Sequence, residues 1–146
     1  MSSSIYSRML DTSYGNIFVT ETGDRDKPSL FLIHGNSSSS RIFRNQLNSD
    51  TLRANYHVLV FDLPGHGRSN DAKDPQNTYT MTGYAKVAVE VLEKLGITDI
   101  AILGWSLGGH IGIEMIPLFK GKITGLMIVG TPPGSCLLYT SPSPRD

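Results

Sequence analysis

Apolar residues in this chain fall into short continuous runs of strand length, separated by stretches whose apolar positions recur at helical spacing. The runs are Ser29–Ile33 (SLFLI), His57–Phe61 (HVLVF), Asp99–Leu103 (DIAIL) and Ile123–Val129 (ITGLMIV). Unbroken Ile, Val and Leu of this length suit strands buried on both faces. The clearest helical stretch is Met81 to Leu95, where Tyr84, Val87, Ala88, Val91, Leu92 and Leu95 share one face and Gly96 is placed to end the helix. Arg41 to about Leu52 predicts a weaker helix with a serine available as N-cap, and Leu107 to Ile116 another that stops near Pro117. Ahead of the first buried run, Met9–Thr12 and Asn16–Thr20 flank a Ser-Tyr-Gly turn and predict a hairpin. The expected order is β-β-β-α-β-α-β-α-β, an α/β fold with a mostly parallel sheet, helices on both faces and right-handed crossovers.

Composition narrows this picture without changing it. The chain has 146 residues, enough for one domain, and no internal repeat. Thirteen Lys and Arg balance thirteen Asp and Glu, so no charge field favours nucleic acid or a membrane surface. The start, MSSSIYSRMLD, lacks the apolar run of a signal peptide, and no apolar stretch reaches spanning length, so a cytoplasmic location is expected. Cys136 is the sole cysteine, which excludes an internal disulfide and leaves no thiol cluster for a structural zinc; neither a metal nor a cofactor is expected.

In an open α/β sheet, ligands bind beyond the carboxyl ends of the strands, so candidate chemistry lies in the loops leaving each apolar run. Gly104-Trp-Ser-Leu-Gly108 matches G-x-S-x-G between a predicted strand and a predicted helix, the setting of a nucleophile elbow. Ser106 is the candidate nucleophile, with Gly104, Gly108 and Gly109 permitting a tight turn and close approach. The Leu107 N–H, at the helix start, would face a developing oxyanion. His34-Gly-Asn-Ser37 follows the first buried run, and the N–H of Asn36, just past Gly35, is the candidate for the second oxyanion donor. His34 reads as a hydrogen-bonded structural residue. So do Asp62 and His66 in Asp62–Ser69 (DLPGHGRS), a compact turn that shapes the rim and braces the elbow. Trp105 either lines an acyl pocket or packs against the sheet. No G-K-[ST] follows a glycine-rich loop and no G-x-G-x-x-G is present, which argues against a phosphate cradle.

Together, the His34–Asn36 loop, the Asp62–Ser69 turn and the Gly104–Gly109 elbow resemble the α/β-hydrolase fold family over Met9 to about Gly134. Within that family, His34–Ser39 (HGNSSS), Asp71–Ala85, Gly104–Ile116 (GWSLGGHIGIEMI) and Gly125–Pro133 (GLMIVGTPP) resemble the metal-independent N-acyl homoserine lactone hydrolases. The resemblance implies Ser106 as nucleophile, Asn36 and Leu107 as oxyanion donors, and a small-molecule ester or lactone as substrate. The dehalogenase and epoxide-hydrolase branches place an aspartate where Ser106 stands.

A serine nucleophile needs an imidazole to take its proton and a carboxylate to orient that imidazole. His57 opens a strand at the wrong end of the sheet. His110 lies one helical turn below Ser106 and is expected to pack against the turn or to pair with Glu114. By resemblance neither His34 nor His66 holds the base position. The family order is Ser, acid, His, with the last two on loops after later strands. The triad acid and base are therefore expected to be absent from this chain, which reads as a hydrolase fold truncated after about its sixth strand. Such a fragment is expected to be nearly inert and, with Ile123–Val129 left as an apolar edge, prone to aggregate.

Residues 136–146 (CLLYTSPSPRD) match one reading frame of a transposase-type sequencing-library adapter. Residues 1–134 are accordingly read as the N-terminal portion of one domain, and 135–146 as a non-native tail. Three rivals to the lactonase reading stand: a general carboxylesterase, a non-catalytic ligand-binding receptor on the same fold, and a perhydrolase or haloperoxidase-like enzyme.

Overall fold

The continuous apolar runs do become neighbouring strands. In the computed structural model, which describes residues 5–131, the strands are β1 (Tyr6–Thr12), β2 (Gly15–Thr22), β3 (Ser29–Ile33), β4 (His57–Phe61), β5 (Asp99–Trp105) and β6 (Lys122–Val129). The helices are α1 (Arg44–Leu47), α2 (Asp50–Asn55), α3 (Pro75–Thr78), α4 (Met81–Lys94) and α5 (Leu107–Met115). One six-stranded sheet has the order β1-β2-β4-β3-β5-β6. Strands β4, β3, β5 and β6 run parallel, and the β1–β2 hairpin joins antiparallel through β2 to β4. The chain moves from β3 to β4 on one side and then to β5 on the other. Such a reversal marks the carboxyl ends of β3 and β5 as the place where open α/β sheets bind ligands.

Side-chain alternation along β3 and β4 divides the interior in two. Phe31, Ile33, Leu59 and Phe61 face α4 and α5 in the larger cluster, where the Phe31 and Phe61 rings stack at 5.2 Å. Leu32, Val58 and Val60 face the other way and meet Phe43 and Leu47. All five residues of β4 are buried, as a strand with neighbours on both edges and helices on both faces must be.

Helix α4 begins and ends where its sequence directs. Thr80 caps it, accepting the Gly83 N–H at 2.8 Å. Gly96, at φ 72°, closes it in a Schellman motif: its N–H bonds Glu93 O at 3.1 Å and the Ile97 N–H bonds Leu92 O at 3.0 Å. The helix expected from Arg41 to Leu52 is instead a 3-10 turn at Ser40–Phe43, then α1, then α2. Ser49 interrupts it, capping α2 by accepting the Leu52 N–H, while Ser39 caps the 3-10 turn ahead of it. Asp71–Thr80 holds the single turn α3, which has Pro75 at its start. Strand β5 runs to Trp105, two residues beyond expectation, and abuts Ser106 directly. On the outer strand β6, Met127, Ile128 and Val129 are exposed. Among the described residues no helix is long and apolar enough to cross a membrane. The adapter-like stretch and Cys136 lie outside the described residues.

Candidate active site

Ser106 joins β5 to α5 with φ 56° and ψ −117°. A left-handed backbone at a residue bearing a Cβ costs about 1–2 kcal/mol and persists only where the surroundings impose it. Here they do. The Ser106 N–H bonds Val129 O at 2.8 Å, and its carbonyl accepts the Gly109 N–H at 3.0 Å and the Thr131 hydroxyl at 2.7 Å. The turn is equally constrained by space: a Cβ at Gly108 would lie 2.1 Å from Ile33 O, so α5 backs directly onto the end of β3. Gly104 faces the Gly108 carbonyl in the same way, and Gly109 faces the Thr131 side chain.

The loop after β3 lies against this turn. A Cβ on Gly35 would sit 2.8 Å from the Trp105 ring and 3.2 Å from Ser106 Cβ, which places the next residue, half-buried Asn36, at the edge of the serine. Leu107 is buried at the first position of α5, and first-turn N–H groups have no partner within their own helix. Ser106, Asn36 and Leu107 are thus gathered at the carboxyl end of β3 and β5. The Trp105 ring lies against Gly35 and near Gly130 while remaining 39% exposed.

Two buried histidines hold the loops together by exchange. His34, after β3, accepts the N–H of Leu63 on the loop after β4, at 3.0 Å to Nε2. His66, on that second loop, accepts the N–H of Ser37 on the first, at 3.0 Å to its own Nε2. Each ring then donates its Nδ1–H to a nearby carbonyl, Gly35 O at 2.7 Å for His34 and Pro64 O at 3.0 Å for His66. Both tautomers are set by backbone, and both nitrogens of each ring are engaged. Buried Asp62 completes the clasp, its carboxylate accepting the N–H of Ser40 at 2.7 Å and of Arg68 at 3.0 Å.

Burial, with His66 beside it, outweighs the Gly35 hydrogen bond and the charge of Asp62 and holds His34 at about 4, below the ordinary imidazole value of 6.5. The unfolded chain therefore takes up this proton before the native one does. Stability is full above about pH 6.5, falls as the pH drops, and stops falling near pH 4, where the native ring protonates too. The expected loss is on the order of 3 kcal/mol. Urea unfolding of the parent chain and of His34→Gln across this range should show a flatter pH dependence in the variant; parallel curves would refute this assignment.

His57 and His110 stand elsewhere. His57 opens β4 at the amino end of the parallel strands, and His110 is on α5 one turn beyond Ser106. Glu114, on the same helix, accepts a hydrogen bond from Thr82 at 3.0 Å. Among the described residues no group of three His, Cys, Asp or Glu side chains is arranged to hold a metal ion. Sequence reasoning missed Ser37, whose φ of 58° turns its N–H toward His66, and Thr131, whose hydroxyl ties the elbow carbonyl to the end of β6. The glycine at Gly35 and the turn residues after Val129 were the available signals.

Comparison with known proteins agrees with this geometry. A family model for the alpha/beta hydrolase fold matches residues 28–144. The structure superposes on that of the N-acyl homoserine lactonase AidH complexed with N-butanoyl homoserine, with a TM-score of 0.81 and 49% identity, covering 88% of this chain and 46% of the lactonase. Among curated proteins, the 2-hydroxy-6-oxononadienedioate/2-hydroxy-6-oxononatrienedioate hydrolase of Klebsiella pneumoniae is 27% identical over 96% of this chain and 49% of its own. The magnesium-chelatase 30 kDa subunit of Rhodobacter capsulatus is 35% identical over 67% of this chain and 33% of its own. The chain therefore spans half or less of the length of these relatives.

Proposed function

The chain belongs to the α/β-hydrolase fold family, and from that premise we propose that it is the amino-terminal portion of a serine hydrolase that opens esters or lactones through an acyl-enzyme at Ser106. The left-handed Ser106 between β5 and α5 carries this reading, because a strained strand-to-helix turn at the carboxyl end of a central strand is the setting in which an elbow serine is presented to substrate. In the proposed step Ser106 Oγ bonds to the carbonyl carbon while the N–H groups of Asn36 and Leu107 take the charge developing on the oxygen. The ring C–O bond then breaks and the alkoxide receives the proton that the Ser106 hydroxyl gave up; water then adds to the acyl carbon, the bond to Oγ breaks, Oγ takes back a proton, and the acid is released. The histidine and acid of the triad are assigned to the remaining length of the longer protein.

N-acyl homoserine lactones are the favoured substrates, supported by 49% identity to a lactonase whose structures hold N-butanoyl and N-hexanoyl homoserine. The test joins residues 1–131 to the remaining carboxyl-terminal part of that lactonase. A folded chimera is expected to open N-hexanoyl homoserine lactone, read as acid release at constant pH. Hydrolysis of p-nitrophenyl butyrate alone would instead favour a general carboxylesterase, tight lactone binding without turnover a receptor, and neither binding nor turnover by a cooperatively unfolding chimera would sink the reading.

A further inference from the structure

At the amino end of the parallel strands, opposite Ser106, three side chains from adjacent strands form a second hydrogen-bonded line. Ser29 opens β3, His57 opens β4 directly beside it in register, and Glu21 stands on β2, the other neighbour of β4. Ser29 Oγ is 2.8 Å from His57 Nδ1, and His57 Nε2 is 2.7 Å from Glu21 Oε1. Burial alone would raise Glu21, but the hydrogen bonds and charges of His57 and Arg25 win and hold its carboxyl at about 2. Arg25 grips both carboxylate oxygens at 2.9 Å, and Arg8 adds a contact at 3.2 Å.

The protonation pattern follows from the partners. An ionised Glu21 can only accept, so His57 Nε2 carries a proton toward it, and in the neutral form of the ring Nδ1 presents a bare lone pair to Ser29. In that form the serine hydroxyl donates to a base that a carboxylate orients, which is the logic of an activated nucleophile. His57 is 1% exposed and Ser29 half-buried, and both line an open cavity of about 790 Å³ along with Tyr56, Ile97, Thr98 and Thr124. A small molecule in that cavity would meet the pair at its wall.

We propose that Ser29, His57 and Glu21 form a second reactive-serine site, at which Ser29 accepts an acyl group from a small activated ester. The Ser29 hydroxyl proton passes to His57 Nδ1 as Oγ bonds to the carbonyl carbon; the bond to the leaving oxygen breaks, and that oxygen takes the proton from His57. The products are acyl-Ser29 and an alcohol. With a fluorophosphonate, Oγ bonds to phosphorus, the P–F bond breaks and fluoride leaves with the proton.

The test treats the 146-residue chain carrying Ser106→Ala with a fluorophosphonate probe and maps the adduct by peptide mass spectrometry. The adduct is expected on the Ser29 peptide and absent after Ser29→Ala. His57→Gln keeps a donor for Glu21 but lacks the base, and it should slow labelling roughly 10²-fold, the scale of general-base assistance. If His57→Gln loses its cooperative unfolding transition, Glu21→Gln replaces it with the same expected fall. An unlabelled Ser29 in a chain that unfolds cooperatively, or labelling at an unchanged rate in either relay variant, would overturn the proposal. Since Ser106 is removed throughout, neither result bears on the reading of Ser106.

Discussion

Gly108→Ala is expected to destabilise the chain by about 3 kcal/mol or more, the upper range for overpacking a close-packed site, and to dismantle the Ser106 turn with it. The added methyl would stand 2.1 Å from Ile33 O, 2.7 Å from Ile33 C and 2.9 Å from His34 O. These are backbone atoms at the end of a central strand, and no rotamer change moves them. Relief requires α5 to withdraw from β3, which carries Ser106 and Leu107 away from Gly35 and Asn36. Gly125→Ala is the control: a Cβ there meets nothing within 4 Å, so the same substitution on β6 should change stability by less than about 1 kcal/mol. Urea unfolding of both variants beside the parent decides the matter. Equal stabilities for the two would mean that the approach of α5 to β3 is not as tight as its geometry requires.

The elbow was legible in the sequence because everything that makes it is local: a buried run, a serine between glycines, and a helical stretch follow one another within Asp99–Met115. Its constraints were not. Gly108 is required by Ile33, and Gly35 by Trp105 and Ser106, residues that meet only once β3 and β5 lie side by side. Hydrophobic pattern predicts that strands are parallel and buried, but not that β3 sits between β4 and β5. For the same reason His34 and His66 could be read as structural while their exchange of N–H donors between two loops could not. The line of Ser29, His57 and Glu21 depends even more on topology. His57 is 28 residues from Ser29 and 36 from Glu21, and the order β2-β4-β3 places it between them. The Arg41–Leu52 helix failed for a local reason: Ser49 takes the Leu52 N–H, a backbone donor that a continuous helix would have kept.

Removing the Ser106 hydroxyl should separate activity from stability in opposite directions. In the lactonase chimera, Ser106→Ala is expected to lower kcat by ~10⁴-fold or more, as loss of a serine nucleophile does when oxyanion donors and binding contacts remain, with KM little changed. Ser106→Gly should be equally inactive yet more stable by about 1 kcal/mol, because glycine adopts the left-handed region without the Cβ penalty that serine bears at φ 56°. Three bonds at the turn, from Ser106 N–H to Val129 O and from Gly109 N–H and the Thr131 hydroxyl to Ser106 O, involve the backbone of residue 106, so glycine retains these three. A serine kept merely to make the turn gives the other pattern, with glycine substituting at no cost to turnover. Rising unfolding free energy together with collapsing kcat in the same variant would identify the strain at Ser106 as serving chemistry; a stable Ser106→Gly chimera that still opens the lactone would remove Ser106 from the mechanism.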